Sequence, residues 1–141
     1  MNLLNKTDKS RIIEAIRAAE LRTSGEIRVH VMPRCGKDAL KEAKKVFKRL
    51  KMHKTAQRNG VLIFVAPRSK RFAIVGDEGI HRHVGDLFWD RTRDVMTAHF
   101  SKEQLVEGII AGIENAGKRL AEHFPRSPED RNELPDRITQ R

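Results

Sequence analysis

The sequence predicts an α/β fold built on a small mixed sheet with four main helices around it. Three observations predict this. Segments whose apolar residues recur at helical spacing alternate with short strand-like runs. One run, Gly60-Val-Leu-Ile-Phe-Val-Ala66, is apolar on both faces, as a central strand covered on two sides must be. Finally, the first two strand-like runs are joined through a helix and the last two by a tight turn. One pair should therefore be parallel and the other antiparallel.

The elements follow in order. Thr7 to Arg22 reads as an amphipathic helix with Ile12, Ile13, Ala15, Ile16 and Ala19 on its stripe, Thr7 or Asp8 as cap and Ser24-Gly25 as stop. Glu26 to Met32 alternates strictly, with Ile27, Val29 and Val31 on one face, which predicts a half-buried strand at a sheet edge. Asp38 to Lys51 is a helix with Leu40, Ala43, Val46, Phe47 and Leu50 on one arc. Pro67-Arg-Ser-Lys70 turns the central strand into Arg71-Phe-Ala-Ile-Val75. Gly76-Asp-Glu-Gly79 then breaks the pattern, an irregular piece around His81 and His83 follows, and a helix runs from about Asp86 to His99.

Ser101-Lys-Glu-Gln104 matches a capping box for a last helix, whose stripe is Leu105, Ile109, Ile113, Ala116 and Leu120. Gly108, Gly112 and Gly117 lie inside it, each costing up to about 1 kcal/mol against alanine, so a close approach to another backbone, such as the sheet, is expected there. Residues 1–124 form the domain. The polar, proline-containing tail 125–141 is expected to be disordered or to be a strap pinned by Leu134 and Ile138.

A chain of 141 residues can bury a sizeable core as one domain. It has no basic segment followed by a long apolar run and no apolar stretch near the roughly 20 residues that span a bilayer. A cytoplasmic location is expected, and the single cysteine, Cys35, has no internal disulfide partner. The net charge of +10 is concentrated: residues 34–58 hold ten Lys or Arg against two acids, while the remainder is nearly balanced.

Three stretches carry a family resemblance. They are Arg58-Asn-Gly-Val-Leu-Ile-Phe-Val-Ala66, the hairpin into Phe72-Ala-Ile-Val-Gly-Asp-Glu-Gly-Ile80, and Phe88-Trp89 followed by Leu105-Val-Glu-Gly-Ile-Ile-Ala-Gly-Ile113. Over roughly residues 8 to 124 the chain resembles the TPM-domain family of thylakoid and bacterial envelope proteins. The resemblance implies a three-layer αβα sandwich, a calcium site, and an acid phosphatase activity proposed for a plant relative. Many relatives carry a signal peptide and a membrane anchor; this chain shows neither and resembles a soluble, cytoplasmic branch, to which the role of the better-known relatives does not automatically carry over.

Connectivity locates a candidate site. With the first two strands parallel and the third antiparallel, the starts of strands one and two and the end of strand three share one rim. Glu26, Asn59, Asp77 and Glu78 therefore converge from distant parts of the chain. Carboxylates held together repel unless a cation or a proton relieves them. Hard cations take six to eight oxygen ligands, from carboxylates, amides and backbone carbonyls. Asp86 or Asp90 adds a further carboxylate if the next helix folds back, and Gly76 and Gly79 would let the backbone turn to offer carbonyls. Calcium is the expected ion, with magnesium as the alternative, and no organic cofactor is expected. The plainer reading is that Asp77 caps the turn around Ile80 and that Asn59-Gly60 is ordinary turn chemistry.

Other chemistries are less well furnished. Cys35 lacks the arginine-bearing loop of cysteine phosphatases, and no glycine-rich loop ends in Lys-Ser or Lys-Thr, so phosphate-ester hydrolysis would need bridging metal ions. Arg34 and Lys37 beside Cys35 would lower its pKa. His81 and His83 offer two zinc donors but no third at telling spacing. Lys41, Lys44, Lys45, Lys48, Arg49 and Lys51 form a basic helical face, either simply solvated or attracting nucleic acid or an anionic membrane surface. No aromatic platform accompanies it, which argues against base-specific recognition. A protein partner of unknown identity is also allowed. Phe88-Trp89 reads as a core anchor.

Overall fold

A computed structural model describes residues 3–126 and 138–140. It contains α1 (Lys6–Glu20), β1 (Glu26–Val31), α2 (Ala39–Arg49), β2 (Gly60–Ala66), β3 (Arg71–Gly76), α3 (Glu78–Val84), α4 (Asp90–Phe100), α5 (Leu105–His123) and β4 (Ile138–Gln140). The sheet order is β3-β2-β1-β4, with β1 parallel to β2 and to β4, and β2 antiparallel to β3. This is the expected α/β fold in three layers.

The sheet separates two apolar clusters, as alternation along each strand requires. Val29, Val31, Val61, Ile63 and Ile74 pack with Ile12 and Ile16 of α1, Met96 of α4, and Ile109, Ile113 and Leu120 of α5. Leu62, Phe64, Ala66, Ala73 and Val75 pack with Ala43, Val46 and Phe47 of α2. One helix therefore covers one face and the remaining helices crowd the other.

Several local expectations need correction. The α1 cap is Asn5, which accepts from the Asp8 N–H at 2.8 Å while the Asp8 carboxylate accepts from the Asn5 N–H at 3.2 Å. β1 is an interior strand, because β4 pairs along its outer side. Its polar positions Glu26, Arg28 and His30 are also buried, on the face shared with Leu62 and Phe64 that α2 covers, with the His30 ring stacked 6.0 Å from Phe64 and its Nδ1 hydrogen-bonded to the Thr139 hydroxyl. Leu40 is exposed rather than part of the α2 stripe, while its neighbour Ala39 is the first-turn residue that packs against the sheet cluster. The segment around His81 is the helix α3, and Asp86–Trp89 is a 3-10 turn leading into α4. Ser101 is no capping residue: α5 starts at Leu105 after Gln104, and no side chain caps it.

The α5 glycines make room for neighbouring helices, not for the sheet. A Cβ at Gly117 would stand 2.7 Å from that of Ala19 in α1, while one at Gly108 or Gly112 would collide with Phe100 or Met96 of α4. In the tail, Ile138 does pack against the core through β4; Leu134 lies outside the described residues. Among the described residues no helix is long and apolar enough to cross a membrane.

Candidate functional site: an ion-paired rim of the sheet

Strand register places the expected residues on one rim. Glu26 stands opposite Gly60, and Val61 opposite Gly76, so the residues flanking these positions, Asn59 and Asp77, meet at the same end of the sheet. The main chain locks them together. The Glu26 N–H donates to the Asn59 carbonyl at 3.3 Å, and the Asp77 N–H to the Gly60 carbonyl at 2.9 Å. Glu26, Asn59 and Asp77 are all buried.

The side chains then divide. Asn59 Nδ2 donates to the Ser24 hydroxyl at 3.2 Å. Asp77 caps α3, its carboxylate accepting from the Glu78 N–H at 2.8 Å, so the plainer reading of this residue holds. The same carboxylate takes both arms of Arg58, from Nε at 2.8 Å and Nη2 at 2.9 Å, and Arg58 Nη1 reaches Glu78 at 3.0 Å. A forked guanidinium on a carboxylate is the strong form of this contact. The hydrogen bond to Asp77 is the largest of the effects that raise the Arg58 pKa above its already high ordinary value, so Arg58 is charged throughout the working range of pH.

Arg58 was not among the residues that connectivity singled out, although it directly precedes Asn59. Its backbone is left-handed, with φ of 51°, which an arginine adopts only at a cost of about 1–2 kcal/mol. That turn brings the Arg58 carbonyl onto the Gly79 N–H at 2.9 Å and the guanidinium over the start of α3. Gly79 has no positive φ: it is small because its Cα rests on the Gln57 and Arg58 carbonyls, which a Cβ would meet at 2.2 and 2.5 Å. Gly76 likewise makes room for the Trp89 indole, 3.0 Å from where a Cβ would stand. Both glycines serve close packing, and not the backbone turn expected of them. A second unforeseen residue is Glu20, buried at the end of α1, whose carboxylate accepts the Ile27 N–H at 3.0 Å.

Among the described residues no three His, Cys, Asp or Glu side chains group closely enough to hold a metal ion. The Asp86 side chain lies outside what the structure describes, and Asp90 pairs with Arg93 within α4. His81 and His83 are exposed on α3, with His83 edge-on to Phe124 at 5.5 Å. Cys35 lies at the opposite rim, beyond the end of β1, where its N–H donates to Ser69 Oγ at 3.0 Å. Burial pushes its thiol up, outweighing the lowering by Arg71, which reverses the depressed pKa expected there. Lys41, Lys44, Lys45, Lys48 and Arg49 on α2 are all exposed, as is Lys51, which lies past the end of the helix with a left-handed φ of 57° and not on its face as expected; among the described residues none of the six is ion-paired.

Comparison with known proteins agrees with this architecture. The solution structure of the BA42 protein from the psychrophilic bacterium Bizionia argentinensis is 43% identical, with a TM-score of 0.92, covering 99% of this chain and 96% of that one. Two further solution structures share the fold. The N-terminal domain of a P. gingivalis protein is 20% identical with a TM-score of 0.69, covering 87% of this chain and 80% of its own. The N-terminal domain of a Corynebacterium glutamicum protein is 15% identical with a TM-score of 0.61, covering 94% and 80%. No curated protein matches at a significant level. The family profile described as the TPM domain matches residues 1–119, and the chain belongs to the TPM-domain family.

Proposed function

We propose that the rim is a weak divalent-cation site, calcium first and magnesium as the alternative, at which the ion competes with Arg58 for Asp77 and Glu78. The observation that carries this reading is that a cationic group already lies between the two carboxylates, and that group is a side chain whose relative exposure is 36%. The donor chemistry suits a hard cation, since carboxylate and amide oxygens are the ligands calcium takes. Asp77 and Glu78 would hold the ion, with Glu26 and Asn59 as the other oxygens named by connectivity and Asp86 as the further carboxylate from the segment downstream. The partly exposed Arg58–Glu78 pair contributes little, about 0–1 kcal/mol, whereas the fork on buried Asp77 is the stronger contact that the ion has to displace. The cost of displacing it makes the site weak. Bound there, the ion would supply positive charge that ties α3 to the start of β2.

No step of hydrolysis is assigned to this rim. Cys35, the one thiol, belongs to the other end of the sheet and its pKa is raised. The test is a calcium titration into the millimolar range, followed through the backbone amides of residues 58–60 and 76–79. The expected result is a saturable shift of these amides in the wild type and none in Asp77→Asn. Amides that stay in place, or move equally in the variant, would end the cation reading.

The five cations of α2, with Lys51 just beyond it, support a second reading, electrostatic binding to a nucleic-acid backbone or an anionic membrane surface. The apolar side of α2 is sealed against the sheet by Ala43, Val46 and Phe47, so the helix has no free face to insert into lipid. Binding would therefore be sensitive to salt. Changing Lys44, Lys45 and Lys48 to alanine should lower the slope of log K against log salt for duplex DNA by about 3. A slope that does not change places any binding elsewhere.

A further inference from the structure

At the rim opposite Arg58 the structure has a cavity of about 540 Å³ between the end of β2, the start of β3 and the turn from α4 into α5. Its volume lies in the range of sites that take small molecules. Phe72 and Phe100 form its apolar wall, ring centroids 5.2 Å apart and edge to face, with Val65, Pro67 and Leu105 beside them. Both rings and Leu105 are only partly buried, so the core leaves this apolar surface uncovered. Polar groups stand at the mouth: the hydroxyls of Thr97 and Ser101, the cations Lys70 and Arg71, and the acid Glu103.

Two mouth residues are held in place by unusual backbone. Lys70 and Glu103 are both left-handed, with φ of 53° and 58°, positions where glycine or asparagine is the cheaper choice. Each is fixed by its turn, the Lys70 N–H donating to the Pro67 carbonyl at 3.1 Å and the Glu103 N–H to the Phe100 carbonyl at 3.0 Å. Both side chains are exposed, and among the described residues neither makes an ion pair. Neither contributes to the core or to the Arg58 rim. Charged residues thus occupy two left-handed positions that line the same cavity.

From this geometry we infer that the cavity binds a small apolar molecule carrying one carboxylate, its body against Phe72 and Phe100 and its charge toward Lys70 and Arg71. Two cations against one acid favour a monoanion at the mouth, and the Thr97 hydroxyl supplies a further donor, while the Ser101 hydroxyl already donates to the Ala98 carbonyl at 3.1 Å. Glu103 repels that charge and so moderates affinity.

The test uses 4-phenylbutyrate as probe on the full chain, followed by backbone and aromatic NMR. The expected result is saturable shifts confined to Phe72, Thr97, Phe100, Ser101 and Leu105. The alcohol 4-phenylbutanol and the amine 4-phenylbutylamine should bind about tenfold more weakly, the size of one charge-assisted contact at an exposed mouth. Lys70→Glu should weaken binding and Glu103→Gln should tighten it. Thr97 is exposed on α4, so Thr97→Trp fills the mouth without touching the core and should abolish the shifts in a protein whose other resonances do not move. Equal binding of acid, alcohol and amine, shifts scattered over the surface, or no shift at millimolar probe would each overturn the assignment.

Discussion

Trp89→Ala is expected to lower stability by about 4 kcal/mol, the usual cost of truncating a buried tryptophan, and the melting temperature by about 10 °C. Trp89 is the chain's only tryptophan, and its relative exposure is 7%. Its indole lies over Gly76 at the end of β3, and Phe88 meets it edge to face with centroids 4.6 Å apart. Phe88 is in turn covered by the Arg119 guanidinium at 4.6 Å and by the His123 ring at 5.5 Å. Removing the indole therefore loosens the joint between the sheet rim, the segment leading into α4, and α5. Trp89→Phe keeps part of the contact and should lose about half as much. A thermal melt of the two variants decides the matter; an unchanged melting temperature for Trp89→Ala would mean that this residue is a surface platform, not an anchor.

Gly79→Ala comes next, with an expected loss of about 3 kcal/mol, at the upper end for overpacking by one carbon. The added methyl would press on two backbone carbonyls, those of Gln57 and Arg58, at 2.2 and 2.5 Å, and neither can rotate away as a side chain does. Relief requires α3 to lift from the α2–β2 loop. The hydrogen bond from the Gly79 N–H to the Arg58 carbonyl and the fork from Arg58 to Asp77 would lengthen together. Urea unfolding measures the loss, and the amides of residues 57–59 and 77–80 report its location. The added methyl at Gly112 faces the flexible Met96 side chain instead, so Gly112→Ala sets the comparison for a clash that can be relieved. Equal stability of Gly79→Ala and wild type would show that the loop yields and that the rim is softer than described.

The layout of this rim was legible from connectivity. A helix between β1 and β2 makes the pair parallel, a turn between β2 and β3 makes that pair antiparallel, and the shared end follows for Glu26, Asn59 and Asp77. The neutralising arginine was not legible in this way, because hydrophobic periodicity says nothing of a left-handed residue in a loop. One signal was present: Arg58 stands directly before the acidic rim and belongs to the stretch with the excess of positive charge. β1 departs from its sequence pattern for a different reason. Strict alternation in Glu26-Ile-Arg-Val-His-Val31 suits a strand with one solvated face, yet β4, more than a hundred residues later, pairs beside it and the polar positions are buried. Pairing of that range leaves no local trace. Gly76 and Gly79 show the same limit, since sequence distinguishes a glycine needed for its φ from one needed for its size only when the neighbour is known.

The central claim is that Arg58 acts as a displaceable counter-ion on a cation-binding rim. It is tested most directly by measuring calcium affinity in the wild type and in Arg58→Gln, with the shifts of residues 76–79 as readout. Removing the competing charge should make binding about tenfold tighter, and the apo protein of this variant should be somewhat less stable than wild type. Calcium affinity that is unchanged or weaker in Arg58→Gln, or absent from both proteins, would contradict the account and leave the fork between Arg58 and Asp77 as a purely structural clasp.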